Sequence, residues 1–194
     1  KSKKKRLLAV AAVALLLLGS FGVFVLQEGL NNAIDTLAFN ASKRMYESEW
    51  VQSSYGFPPV QIESPEALLR KENEFVFTKE TIDFDLIVKV VLDENQAELD
   101  FKAKSEAQLN AFEALGYNNI IPKGELFTSS NNIQGYRSHG TATNPNKEIV
   151  HFEHFIFGGP KFSQEIIVVG LANDRWADMA IDRIIESINV STEL

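Results

Sequence analysis

The chain has 194 residues, room for one domain of ordinary size plus a further segment. It has a net charge of −7 and no cysteine, which excludes disulfides, thiolate metal ligands, a thiol nucleophile and an acylated lipoprotein anchor. Lys1, Lys3, Lys4, Lys5 and Arg6 supply five positive charges, so the rest of the chain holds −12 and repels phosphate backbones, which argues against nucleic acid as a partner.

Residues 1–6 form a basic stub. Residues 7–26 then run for twenty positions without a charge, and thirteen of them are Leu, Val or Phe. A helix rises about 1.5 Å per residue, so such a run spans roughly 30 Å, the thickness of a bilayer's hydrocarbon core. Leu7, Leu16, Phe21, Phe24 and Leu26 are the side chains expected to meet lipid. The basic cluster precedes the run and Glu28 and Asp35 follow it, so the positive-inside rule puts the N-terminus in the cytoplasm. A cleaved export signal shares the pattern of charge followed by apolar stretch, but its apolar region is shorter than one continuing through Val23 and Leu26. The expectation is a retained single-pass anchor in a bacterial inner (plasma) membrane, with the remainder periplasmic.

Beyond the anchor, Leu26, Leu30, Ile34, Leu37, Ala41 and Met45 recur at intervals of three or four, the period of an amphipathic helix. This predicts a helical stalk over residues 27–50. Leu30, Ile34, Leu37 and Met45 form a stripe facing a partner subunit, the membrane surface or the following domain. Residues 51–63 contain Ser53, Ser54, Gly56, Pro58 and Pro59, which exclude helix and read as a linker.

Residues 64–194 are expected to fold as one domain. Ser64, Pro65 and Glu66 look like the cap and first turn of a short helix. A strand near residues 74–78 comes next. Residues 83–92 alternate, with Phe84, Leu86, Val88 and Val90 on one face, and residues 97–104 alternate again after a polar turn. Together they read as a hairpin, with a helix from Asp93 onward as the competing assignment. Ser105 then caps a helix carrying Leu109, Phe112 and Leu115, which Gly116 ends. Shorter strands follow near 125–129 and 135–143. Residues 148–157 and 162–171 form a second hairpin through Gly158, Gly159, Pro160 and Lys161, and the second arm looks buried on both faces. Asn173 or Asp174 caps a last helix with Trp176, Met179, Ala180, Ile184 and Ile188 inward. The fold class is α+β, an antiparallel sheet between helices in an α/β/α sandwich.

This order of elements resembles the PsbP/Mog1-like fold family over roughly residues 74–190. The likeness is carried by the hairpin 83–104, the helix 105–116, the segment Asn132–Arg137, the hairpin 148–171 and a terminal helix containing Ile184, Ile185, Ser187 and Ile188. The resemblance implies a binding or assembly role and no shared catalytic residue set.

The three histidines are the side chains best suited to metal or acid–base chemistry. In a strand, His151 and Glu153 share a face while His154 points away. A metal site would therefore need His151, Glu153 and a third ligand such as His139. Strand-face histidines are ordinarily hydrogen-bonded or solvated, so no metal and no cofactor is assigned. The Gly158–Lys161 turn lacks the spacing of a phosphate loop, and no Gly-x-Ser-x-Gly elbow is present. Asp174, Asp178 and Asp182 recur every four residues on an outward face of the last helix. No catalytic residue is assigned. The function expected is a non-catalytic, membrane-anchored accessory subunit that binds or stabilises a larger membrane protein complex. The alternative is a ligand- or peptide-binding sensor or chaperone-like domain.

Overall fold

The computed structural model describes residues 41–66, 68–70, 76–79, 84–93 and 98–191. The chain divides into two units, Lys1–Asn40 and Ala41–Leu194, and the described residues all belong to the second. The anchor residues Leu7, Leu16, Phe21, Phe24 and Leu26 and the stalk residues Leu30, Ile34 and Leu37 lie outside the described residues. Among the described residues, no helix is long and apolar enough to cross a membrane.

The second unit is mixed α+β with antiparallel sheets. Its elements in order are α1 (Ala41–Tyr46), β1 (Trp50–Tyr55), β2 (Val60–Pro65), β3 (Leu69–Arg70), β4 (Val76–Lys79), β5 (Phe84–Leu92), α2 (Phe101–Ala114), β6 (Asn118–Thr128), β7 (Gln134–Thr143), β8 (Ile149–Gly159), β9 (Phe162–Leu171), α3 (Arg175–Ser187) and β10 (Asn189–Val190). The seven-stranded sheet has the order β3-β4-β5-β9-β8-β7-β6, and a small sheet has the order β1-β2-β10. The central strands β8 and β9 run from Val150↔Leu171 to Gly159↔Phe162, with Pro160 and Lys161 between them. Lys161 has φ 74° and Gly158 φ 135° at this reversal.

Strand β9 is buried at every position from Phe162 to Gly170: residues 166–169 are apolar on both faces, as expected of a doubly covered strand, and the polar Ser163, Gln164 and Glu165 are buried beside them. Its two faces feed two cores. Ile166 and Val168, with Phe155 and Phe157 of β8, pack with Ala177, Ala180, Ile181 and Ile184 of α3 and with Tyr55, Val60 and Ile62 of the small sheet. Ile167 and Val169, with Val150 and Phe152, pack with Phe112 of α2. Each fully buried Ile or Phe side chain stabilises the fold by about 1.5–3 kcal/mol. Asp174 caps α3 by accepting from the Trp176 and Ala177 amides at 3.0 and 3.4 Å.

Four local expectations are corrected. Of the predicted stalk 27–50, the described part is helical only over Ala41–Tyr46, short of residue 50, and Met45 meets the following domain, one of the three coverings expected for its stripe, where it is wholly buried in the larger core. The predicted linker 51–63 is the β1–β2 hairpin, in register from Trp50↔Pro65 to Tyr55↔Val60. Its prolines sit in the turn, where a missing amide costs no ladder bond. Gly56 there has φ 71°, and the Val90 side chain occupies the place of a β-carbon. The helix expected from Ser64 is instead the end of β2, since Pro65 pairs with Trp50 and the Glu66 amide donates to the Glu49 carbonyl at 2.7 Å. The first hairpin does not form either. The edge of β5 is taken by β9, from Asp85↔Val169 to Leu92↔Phe162, so residues 97–104 have no strand to join. Asp100 accepts from the Ala103 amide at 2.9 Å and starts α2 five residues before the predicted cap Ser105.

Strand β6 is an edge of the large sheet, paired to β7 alone, with an irregularity between Asn118 and Ile121 followed by Pro122.

Candidate functional site

Residues directly opposed in an antiparallel pair share a face. Glu153 opposes His139 and His151 opposes Thr141, while Arg137 and His139 oppose Glu125 and Lys123 on β6. One face of β6–β8 therefore gathers Glu125, Arg137, His139, His151 and Glu153, and α3 adds Asp178.

Glu153 is at the centre, with only 1% of its side chain exposed. Arg137 donates to it twice, Nε to Oε2 and Nη2 to Oε1, both at 2.7 Å. This parallel fork is the strongest geometry available to a carboxylate and guanidinium. The remaining Nη1 donates to Glu125 Oε1 at 3.1 Å. His151 Nε2 lies 3.2 Å from Glu153 Oε1, and its Nδ1 lies 3.5 Å from Asp178 Oδ1. His139 Nε2 is 3.6 Å from Glu125 Oε1. Burial works to raise the Glu153 pKa, but hydrogen bonds from Arg137 and His151 outweigh it and hold the carboxyl below its ordinary value. The hydrogen bond to Glu153 raises the His151 pKa, against burial and with help from Asp178. His139, His151 and Glu153 each present a ligating atom within 4.8 Å of the others.

The opposite sheet face holds a second pair. His154 is 1% exposed, and its Nε2 lies 3.1 Å from Glu165 Oε2. Lys104 of α2 approaches Glu165 Oε1 at 3.8 Å, and Lys89 of β5 opposes Glu165 in register and bonds Gln108 at 3.0 Å. Burial raises the Glu165 pKa, but the His154 hydrogen bond and the His154, Lys89 and Lys104 charges bring it below the ordinary carboxylate value. A surface groove of about 520 Å³ lies between α1, β2 and α3, lined by Tyr46, Glu63, Met179, Asp182, Arg183 and Glu186. Arg183 bonds Glu63 Oε2 there at 3.1 and 3.2 Å and covers the Trp50 ring at 4.2 Å.

Strand alternation places His151 and Glu153 on one face and His154 on the other, and the β7 register brings in His139. Sequence reasoning missed Arg137, Glu125 and Asp178. Arg137 stands two residues before His139, the spacing that shares a strand face, but the weight of the cluster is visible only once β6, β7 and β8 are paired. Asp178, expected on an outward face of the last helix, is half-exposed and turned to His151.

No family model and no curated protein matches the chain. Among solved structures, the crystal structure of LpqN involved in cell envelope biogenesis of Mycobacterium tuberculosis is similar, at 12% identity and TM-score 0.47, over 78% of this chain and 96% of that one.

Proposed function

We propose that this protein is a non-catalytic accessory subunit, anchored by residues 7–26 in a bacterial inner membrane, whose periplasmic domain binds a larger membrane protein complex. The observation that carries the reading is the run of twenty uncharged residues directly after five positive charges. The non-catalytic part rests on the resemblance to PsbP/Mog1-like domains, which implies no shared catalytic residue set, and on the sequence, which has no Gly-x-Ser-x-Gly elbow. The resemblance to PsbP/Mog1-like domains supports a binding role. So does the groove beside α3, where Asp182 and Glu186 stand with Met179, chemistry suited to a basic amphipathic segment.

Membrane fractionation with alkaline carbonate, followed by purification in mild detergent, tests the proposal. The full chain is expected in the membrane pellet and in complex with stoichiometric partners. Recovery in the soluble fraction, or as a monomer at native expression level, would overturn it.

A further inference from the structure

We propose that His139, His151 and Glu153 form a binding site for a divalent transition cation of the zinc class, on the β7–β8 face of the sheet. Independent features of the geometry agree on it. A tetrahedral ion with ligand bonds of about 2.0–2.1 Å has ligand–ligand edges of roughly 3.3 Å. His151 Nε2 and Glu153 Oε1 are 3.2 Å apart, so one edge of such a tetrahedron is already built. His139 closes a triangle whose atoms all lie within 4.8 Å. Glu125, exposed and 3.6 Å from His139 Nε2, is within reach as a fourth ligand; water would serve equally.

The outer shell is also in place. A metal-bound imidazole characteristically donates its other N–H to a carboxylate, which fixes its tautomer and aim. Asp178 Oδ1 stands 3.5 Å from His151 Nδ1 and supplies that carboxylate from a separate element, α3. A neutral His151 keeps Nδ1–H toward Asp178 and turns the lone pair of Nε2 to the cation.

Charge points the same way. With both imidazoles neutral, Glu125, Glu153 and Asp178 set three negative charges against the single positive charge of Arg137, leaving −2 for a dication to balance. Lys123 opposes His139 on the edge strand, but it is exposed and its ammonium is free to remain in water. Arg137 does not block the site. A carboxylate has about four lone-pair positions, and the fork fills two, leaving on Oε1 the position now facing His151. Arg137 also keeps Glu153 ionised and immobile, as a buried ligand must be. Two nitrogen donors with one carboxylate select zinc-like ions over calcium and magnesium, which prefer an all-oxygen shell.

The test uses the full chain in mild detergent, stripped with a chelator and titrated with Zn²⁺ by calorimetry, then with Co²⁺ by visible absorption. One equivalent should bind in the micromolar range or tighter, and Co²⁺ should show the intense bands of a tetrahedral site. His139→Ala and His151→Ala should each weaken Zn²⁺ by roughly tenfold or more, and Asp178→Asn, which removes no ligand, by about tenfold. Circular dichroism of each variant verifies the fold, and Asp178→Asn, at a half-exposed position, carries the test should either alanine variant fail to fold. No saturable uptake at micromolar zinc would overturn the proposal. So would uptake that the folded variants leave unchanged. Neither result bears on membrane anchoring, which fractionation tests separately.

Discussion

Arg137 on β7 grips Glu153 on β8 through two parallel hydrogen bonds of 2.7 Å, and the carboxylate it holds is almost wholly withdrawn from water. Arg137 is itself only partly covered, so the pair spans the boundary between solvent and core. Its partners differ in what their loss would do. Removing Glu153 frees a guanidinium that can reach water, whereas removing Arg137 leaves a buried anion with His151 as its remaining hydrogen-bond partner.

Arg137→Ala is therefore expected to destabilise the domain by up to about 3–5 kcal/mol, the range for breaking a buried ion pair, with His151 limiting the loss. Arg137→Ala combined with Glu153→Gln should lose less than Arg137→Ala alone. Urea denaturation followed by the fluorescence of Trp50 and Trp176 measures both.

Glu165 sets an acid limit. Its folded pKa lies below the ordinary 4.5, so its ionised form is favoured by folding. That contribution is fully present above the unfolded pKa and is lost as pH falls below the ordinary carboxylate range and through the folded value. Glu165→Gln should flatten the acid limb of stability against pH, by removing a group that releases protons on folding. Urea midpoints measured across that range check the slope, and an unchanged slope would count against the assignment.

Met45 gives a direct measure of where the domain begins. Its side chain is wholly buried, so Met45→Ala should cost about 2–5 kcal/mol and lower the melting temperature of the domain. A side chain serving only an external partner would leave the melting of the isolated chain unmoved.

Asp174→Ala removes the side-chain acceptor for two amides at the start of α3. A loss of about 1 kcal/mol is expected, visible as a lower urea midpoint with the slope of the transition unchanged.

The parts legible in the sequence are those where hydropathy and burial coincide. Residues 166–169 are apolar on both faces and are buried on both; Asp174 and the stripe Ala180, Ile184 and Ile188 announce α3 without tertiary help. Helix α2 was misread at its start for a physical reason. Its buried stripe is Ser105, Gln108 and Phe112, so the first two inward positions are polar and hydropathy shows the helix only from Leu109 onward. The alternation of Leu99, Phe101 and Ala103 mimics a strand, but β9 already occupies the edge such a strand would need. The candidate site was half legible. Alternation settles which residues of one strand share a face, so His151 and Glu153 could be paired. It says nothing of which strand lies alongside, so Arg137, Glu125 and Asp178 emerge only from the register of β6–β8 and the docking of α3.

The outer margin of β6 has a bearing on crowding. A free strand margin invites another molecule to add its own strand, with backbone groups zipping residue by residue. Here the irregularity after Asn118 throws such zipping out of step, and Pro122 has no amide hydrogen to offer. Copies jostling at high local density would find this flank a poor template for adding a strand.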